Sequence, residues 1–266
     1  MTRLRPIKLG IAIMAVTTFF AYSGQAHATE IRRSVTMACN PFPPSKISET
    51  APLPGYDIEL LKAAFSVGNL TLKTPFYPWK RAYLLAEEGR VDGLCSCSYT
   101  VEREADMLYS AELGRIRIGL FSIAGRISRK ITSLGDARNL RIGVVGGYNL
   151  ENTAENAGLT VITATREQIL LGMLYNNRID MIYSFREPVM VAHKARNTGL
   201  ALRYHETSQA PYYSCISRKI DDAPALLNTL DNGIKTIRAN GVYQNILEKY
   251  GVADVTDIKQ PTAWIN

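Results

Sequence analysis

The apolar positions along this chain alternate between two spacings. From Ile31 to Ala38 β-branched residues dominate, which predicts a strand that stops at Asn40-Pro41-Phe42-Pro43-Pro44. Over Tyr56 to Phe65, Ile58, Leu61 and Phe65 recur at helical spacing, which predicts a helix ending at Gly68. A strand over 70–76, a helix over 79–88 closed by Gly89 and a short apolar strand over 91–96 follow. The rhythm returns after Leu140: strand 141–145, turn at Gly146-Gly147, helix 149–157, strand 160–164, helix 167–175, strand 179–183. Alternation of this kind argues an α/β protein with parallel strands. Ile116 to Ala124 and Tyr212 to Arg218 read as extended segments able to cross between the two series, and 224–250 as two helices broken near Asn240-Gly241.

A local echo links the two series. Leu84-Leu-Ala-Glu-Glu-Gly-Arg-Val-Asp92 and Leu171-Gly-Met-Leu-Tyr-Asn-Asn-Arg-Ile-Asp180 both read as helix, tight turn, basic residue, β-branched residue, aspartate, strand. The echo suggests two lobes built on one plan.

Composition refines this picture at the N-terminus. The 266 residues are 46% apolar and 21% charged, an ordinary globular balance, with a formal net charge of +7. Arg3, Arg5 and Lys8 precede an apolar run from Leu9 to Tyr22, and Ala26-His27-Ala28 follows as a small-x-small site. This is the pattern of a secretory signal peptide over 1–28, cleaved after Ala28. A transmembrane anchor is the other reading, but the run of about 14 residues falls short of the roughly 20 a span needs. Cleavage removes three cations and no anion, and the remaining charge of about +4 is too weak to argue for a nucleic-acid partner. Thr36-Met37-Ala38-Cys39 resembles a lipoprotein box only loosely, so Cys39 is read as part of the fold.

Export also changes the meaning of Cys39, Cys95, Cys97 and Cys215. An even number of cysteines in an exported chain suggests disulfides. A metal site is the weaker reading: beyond the signal only His193 and His205 occur, and Cys-x-Cys is not a zinc spacing. No Ser-His-Asp arrangement or phosphate loop is evident, and no cofactor is expected.

Five segments, in order, carry a resemblance: Gly55-Tyr-Asp-Ile-Glu-Leu-Leu61, Gly89-Arg-Val-Asp-Gly93, Thr100-Val-Glu-Arg103, Leu140-Arg-Ile-Gly-Val-Val-Gly-Gly147, and Ala239-Asn-Gly-Val-Tyr-Gln-Asn-Ile-Leu-Glu-Lys-Tyr-Gly251. Together they resemble type II periplasmic solute-binding proteins of the polar amino acid uptake class. The resemblance implies two α/β lobes joined by two extended crossovers, with lobe one over 29–117 plus 211–266 and lobe two over 118–210. It implies a periplasmic monomer that closes on a small ligand and presents it to a membrane importer or a sensor subunit. Arg103 falls where the family binds a carboxylate, a task suited to a guanidinium fork. Ser98 and Thr100 match positions that help hold the same group. Trp79 and Phe42 match aromatic walls, and Gly147-Tyr148-Asn149 matches the turn that closes over the carboxylate from a helix N-terminus. The plainer alternatives are a surface Arg103 paired with Glu102 or Glu104, core roles for the aromatics, and simple capping by Asn149.

The chain departs from that pattern at Phe185, which stands where amino-acid binders carry the carboxylate that holds the ligand ammonium. An acid without an ammonium, or a larger ligand stacked on rings, becomes the expectation. Arg186 and Glu187 are neighbours that could point inward. The leading reading is a binding protein for a small carboxylate-bearing solute, an amino acid or related organic acid. The alternatives are a cyclohexadienyl dehydratase-like lyase on the same scaffold, with Glu187 as candidate acid or base, and a sensory ligand-presenting subunit. By the resemblance the third strand lies between the first and the returning one. This implies at least one long-range disulfide from Cys39 or Cys215 to Cys95 or Cys97, the last two expected to share a strand face.

Overall fold

The computed structural model describes residues 34–252; the signal segment lies outside them. Eight strands form one curled sheet in the order β2-β1-β3-β8-β4-β7-β5-β6. β1 (Ser34–Ala38), β2 (Thr71–Lys73) and β3 (Gly93–Ser98) run parallel at one end. β5 (Arg141–Val145), β6 (Thr160–Ala164) and β7 (Met181–Phe185) run parallel at the other. Between them lie two long antiparallel strands, β4 (Met107–Ile123) and β8 (Leu202–Ser217), which pair along almost their whole length. β8 pairs with β3 and β4 with β7, so each long strand also belongs to one end of the sheet.

Helices fill the parallel connections, as the alternating pattern requires. They are α1 (Tyr56–Val67), α2 (Trp79–Glu87), α3 (Asn149–Asn156) and α4 (Glu167–Tyr175). α5 (Arg186–Arg196) follows β7 without a loop; α6 (Ala223–Ala239) and α7 (Val242–Lys249) complete the described chain. One core cluster packs α1, α6 and α7 over β1, through Ile58, Leu61, Phe65, Leu230, Ile234 and Leu247. A second runs beneath the other helices through Phe121, Ile142, Val144, Leu170, Leu171 and Ile182.

The echoed aspartates make the same contact in both parallel sheets. Asp92 Oδ2 accepts from Thr36 N at 2.7 Å while Asp92 N donates to Thr36 O at 2.8 Å. Asp180 Oδ2 accepts from Arg141 N at 2.8 Å while Asp180 N donates to Arg141 O at 2.9 Å. Each aspartate, standing just before its own strand, pairs a main-chain N–H of the neighbouring strand.

The four cysteines form two long-range disulfides, Cys39–Cys95 with Cα atoms 5.0 Å apart and Cys97–Cys215 at 6.3 Å. Both separations fit a bridge. The expectation that residues 95 and 97 share a strand face is corrected. Between Leu94 and Cys97 the pairing with β8 shifts by a residue, and this bulge breaks the alternation. Cys95 therefore packs with Cys39 in one core cluster and Cys97 with Cys215 in the other.

Replacing Cys97 and Cys215 together by Ser frees a long loop in the unfolded chain. Urea unfolding should show a loss of about 3–5 kcal/mol. A loss below about 1 kcal/mol would mean that the bridge is not formed in the folded protein.

Candidate functional site

The carboxyl ends of β1, β3, β5 and β7 all point at one cavity of about 50 Å³, the place where open α/β sheets bind ligands. After β1, the chain turns back so that Phe42 and Lys46 exchange main-chain hydrogen bonds of 2.7 and 2.9 Å, and this short loop carries Phe42 and Lys46 to the cavity. Gly55 holds the loop against α1. Its φ is +118°, and a Cβ there would lie 2.2 Å from Ser45 O, which accepts from Asp57 N at 2.9 Å. Only glycine allows that approach.

β3 ends in Ser96, Cys97 and Ser98 on the cavity wall, and a single 3₁₀ turn over Glu102–Ala105 then swings Arg103 back toward it. Arg103 is 9% exposed. Its guanidinium donates to Ser98 O at 3.0 Å and to Gly147 O at 3.2 Å, and lies 5.1 Å from the Trp79 ring and 5.4 Å from Tyr83. The surface-pair alternative does not hold, because Glu102 is exposed and Glu104 accepts from Tyr99 instead. Thr100 is not in the cavity wall; its hydroxyl accepts from Arg103 N at 3.4 Å.

From the other end of the sheet come Tyr148 and Asn149, at the start of α3, and Phe185, at the end of β7. Tyr148 rather than Asn149 is the residue flanking the helix. Gly147, at φ +81°, turns its carbonyl toward Trp79 Nε1 at 2.8 Å, while Glu151 of the same helix accepts from Gly147 N at 2.5 Å. A carboxylate therefore already sits at this helix N-terminus. Four rings close the middle of the cavity. Phe42 and Tyr148 each lie 5.4 Å from Phe185, and Trp79 lies 5.9 Å from Tyr148, in edge or tilted contacts. The structure thus brings Arg103, Ser98, Trp79, Phe42, Tyr148, Asn149 and Phe185 to one place.

It also brings charged groups that the sequence pattern did not single out. Lys46 and Asp57, 3% and 0% exposed, both line the cavity. Lys46 Nζ donates to Ser96 Oγ and lies 4.9 Å from the Phe42 ring centre. Burial brings its pKa down to about 8, against the pull of Asp57 and Glu167. Asp57 accepts from the Tyr212 hydroxyl at 2.8 Å, and burial holds its pKa above the usual carboxylate range. Behind Tyr148, Glu167 is 3% exposed and accepts from Ser184 Oγ at 3.4 Å; burial raises its pKa to about 7. The Tyr148 hydroxyl in turn accepts from Asn40 Nδ2 at 3.2 Å. Lys46 sits in a proline-rich loop and Asp57 in a helix start, where a lysine and an aspartate are normally exposed. No sequence signal marks them, because what sets them apart is burial. Among the described residues, no cluster of three or more His, Cys, Asp or Glu could hold a metal.

The elevated Glu167 gives a pH signature with a definite sign. Its folded pKa of about 7 exceeds its ordinary value of 4.5, so the folded state holds the extra proton between those limits. Stability should fall as pH rises through this window, by up to about 3 kcal/mol from this group. Denaturation of wild type and Glu167→Gln from pH 4 to 8 should show that the variant lacks this component. Parallel curves would assign Glu167 an ordinary pKa.

Residues 35–253 match the model of the bacterial extracellular solute-binding proteins, family 3. A probable histidine-binding protein from Neisseria gonorrhoeae is 22% identical over 205 residues, 74% of each chain. The arginine-, lysine-, histidine-binding protein ArtJ of Geobacillus stearothermophilus superposes with a TM-score of 0.73 at 16% identity, over 84% of this chain and 96% of its own. A histidine kinase sensor domain similar to periplasmic binding proteins gives a TM-score of 0.74 at 21% identity, over 84% and 99%.

Proposed function

Because the chain belongs to the bacterial extracellular solute-binding proteins, family 3, we infer that this cavity captures a small carboxylate-bearing solute, an amino acid or a related organic acid. Arg103 carries the reading. It is a cation buried at the cavity and held by main-chain carbonyls and rings rather than by a carboxylate of its own. A buried guanidinium without an anionic partner is a strong attractor for one, and its two parallel donors suit a carboxylate. Ser98, Tyr148 and Asn149 flank it on the cavity wall, Thr100 acts only on the Arg103 main chain, and Trp79, Phe42 and Phe185 wall the ligand.

In this reading lobe one is 29–117 plus 211–266 and lobe two 118–210. β4 and β8 carry the hinge, and the ligand biases its closure. The chain works in the periplasm as a binder rather than an enzyme, handing its solute to an ABC importer. The relatives named for histidine and for arginine, lysine and histidine support the solute class. The sensor domain supports a second role, presentation of the same solute to a receptor.

A thermal-shift screen of amino acids and organic acids finds the solute, since a ligand far above its Kd raises the melting temperature. Arg103→Ala should then weaken the hit by about 30-fold to several thousand-fold in calorimetry, with the circular dichroism unchanged. Unchanged affinity would remove Arg103 from the site. Mass spectrometry of the recovered solute tests the binder reading, because a lyase would return a product. Phe185→Asp places an anion between Phe42 and Tyr148. L-amino acids should gain about tenfold in affinity over their deaminated acids in that variant; no relative gain would mean that position 185 does not face an ammonium.

A further inference from the structure

The carboxylate reading leaves Lys46 and Asp57 without a task, although both are buried in the wall of the same cavity. Their hydrogen bonding is incomplete. The Lys46 ammonium has three donors and gives one to Ser96 Oγ. Asp57 Oδ1 accepts from Tyr212, but Oδ2 is buried and has no hydrogen-bond partner. A buried acceptor left unpaired is unfavourable, and a partner supplied by a ligand removes that cost.

The charges restrict what that partner can be. The cavity wall carries two cations, Arg103 and Lys46, and one anion, Asp57. One ligand carboxylate at Arg103 balances the set. A second carboxylate near Lys46 would be opposed by Asp57, and an ammonium near Asp57 would be opposed by Lys46. A hydroxyl or a primary amide meets both, accepting from Lys46 and donating to Asp57 Oδ2. Between the two polar ends, Phe42, Phe185, Tyr148 and Trp79 touch one another in edge or tilted contacts. A flat apolar body can replace those contacts with similar ones. These rings meet across the middle of the cavity, so they would have to part to admit such a body.

We propose that Lys46 and Asp57 form a second, specificity-determining subsite, which reads an uncharged hydroxyl or amide at the far end of a flat-bodied monocarboxylic acid. This rests on the carboxylate reading of Arg103 and deepens it.

Calorimetry with one matched series tests the proposal. 3-(4-Hydroxyphenyl)propanoate and 3-(4-carbamoylphenyl)propanoate carry the neutral end group, 3-phenylpropanoate lacks it, and 3-(4-carboxyphenyl)propanoate replaces it with an anion. L-Tyrosine adds an α-ammonium to the first, and L-histidine and L-arginine serve as amino-acid controls. The hydroxy or the carbamoyl acid should bind about tenfold or more tighter than the unsubstituted acid, the diacid and L-tyrosine. Lys46→Met should weaken the better of the two at least tenfold more than it weakens 3-phenylpropanoate. If Lys46→Met does not fold, the wild-type order decides alone. Equal binding across the series, tighter binding of the diacid or of L-tyrosine, or equal losses in Lys46→Met would overturn the subsite. Binding of L-histidine or L-arginine with no response to the substituted acids overturns the subsite but leaves the carboxylate reading standing. No binding by any of these compounds overturns the subsite, and no response to any carboxylate in the thermal-shift screen overturns the carboxylate reading as well.

Discussion

The antiparallel pairing of β4 with β8 is the constraint on which the rest of the molecule depends. Each strand is long enough to belong to one parallel array at one end and to its partner along the middle. Because the arrays are joined this way, the carboxyl ends of β1, β3, β5 and β7 face a common space. Connecting the arrays by a flexible loop instead would leave their ends free to diverge. The site is thus a product of topology, in which residues far apart in sequence meet because two strands run the length of the sheet.

Much of that topology was legible in the chain. The strands at 141–145 and 160–164 and the helix at 167–175 stand where apolar spacing puts them. The break at Asn240-Gly241 separates α6 from α7. The first half of β4 was hidden because Ser110, Glu112 and Arg115 interrupt its apolar run, and β8 because its residues 202–211 are largely polar and partly exposed. α5 was missed for another reason. Pro188 reads as a breaker, but it sits in the first turn, where a helix needs no main-chain donor. The aspartate echo was visible as a pattern, while its cause, a carboxylate pairing a neighbouring strand's amide, appears only when the strands are paired.

The candidate site was legible to a different degree. Arg103 and the aromatic walls could be named from motif order, because those residues follow strand ends. Lys46 and Asp57 could not, since what sets them apart is burial. A lysine in a proline-rich loop and an aspartate opening a helix look solvent-facing until Gly55 folds one against the other. Cys97 shows the same limit on a smaller scale: a one-residue bulge, silent in the sequence, decides which side of the sheet a bridge joins.

The carbonyl of Gly147 accepts from both Trp79 and Arg103, groups carried by the opposite array. A main-chain dipole thus occupies donors that, in the proposed reading, a carboxylate would seek. In the proposed reading, solute and carbonyl would compete, and capture would begin with the release of a self-made contact. An on-rate would then carry an opening step and lie below the diffusional limit, and the apparent affinity would be lowered to the extent that only a fraction of molecules is open. In that reading, weakening those two hydrogen bonds would speed loading, because they hold the donors only while the solute does not.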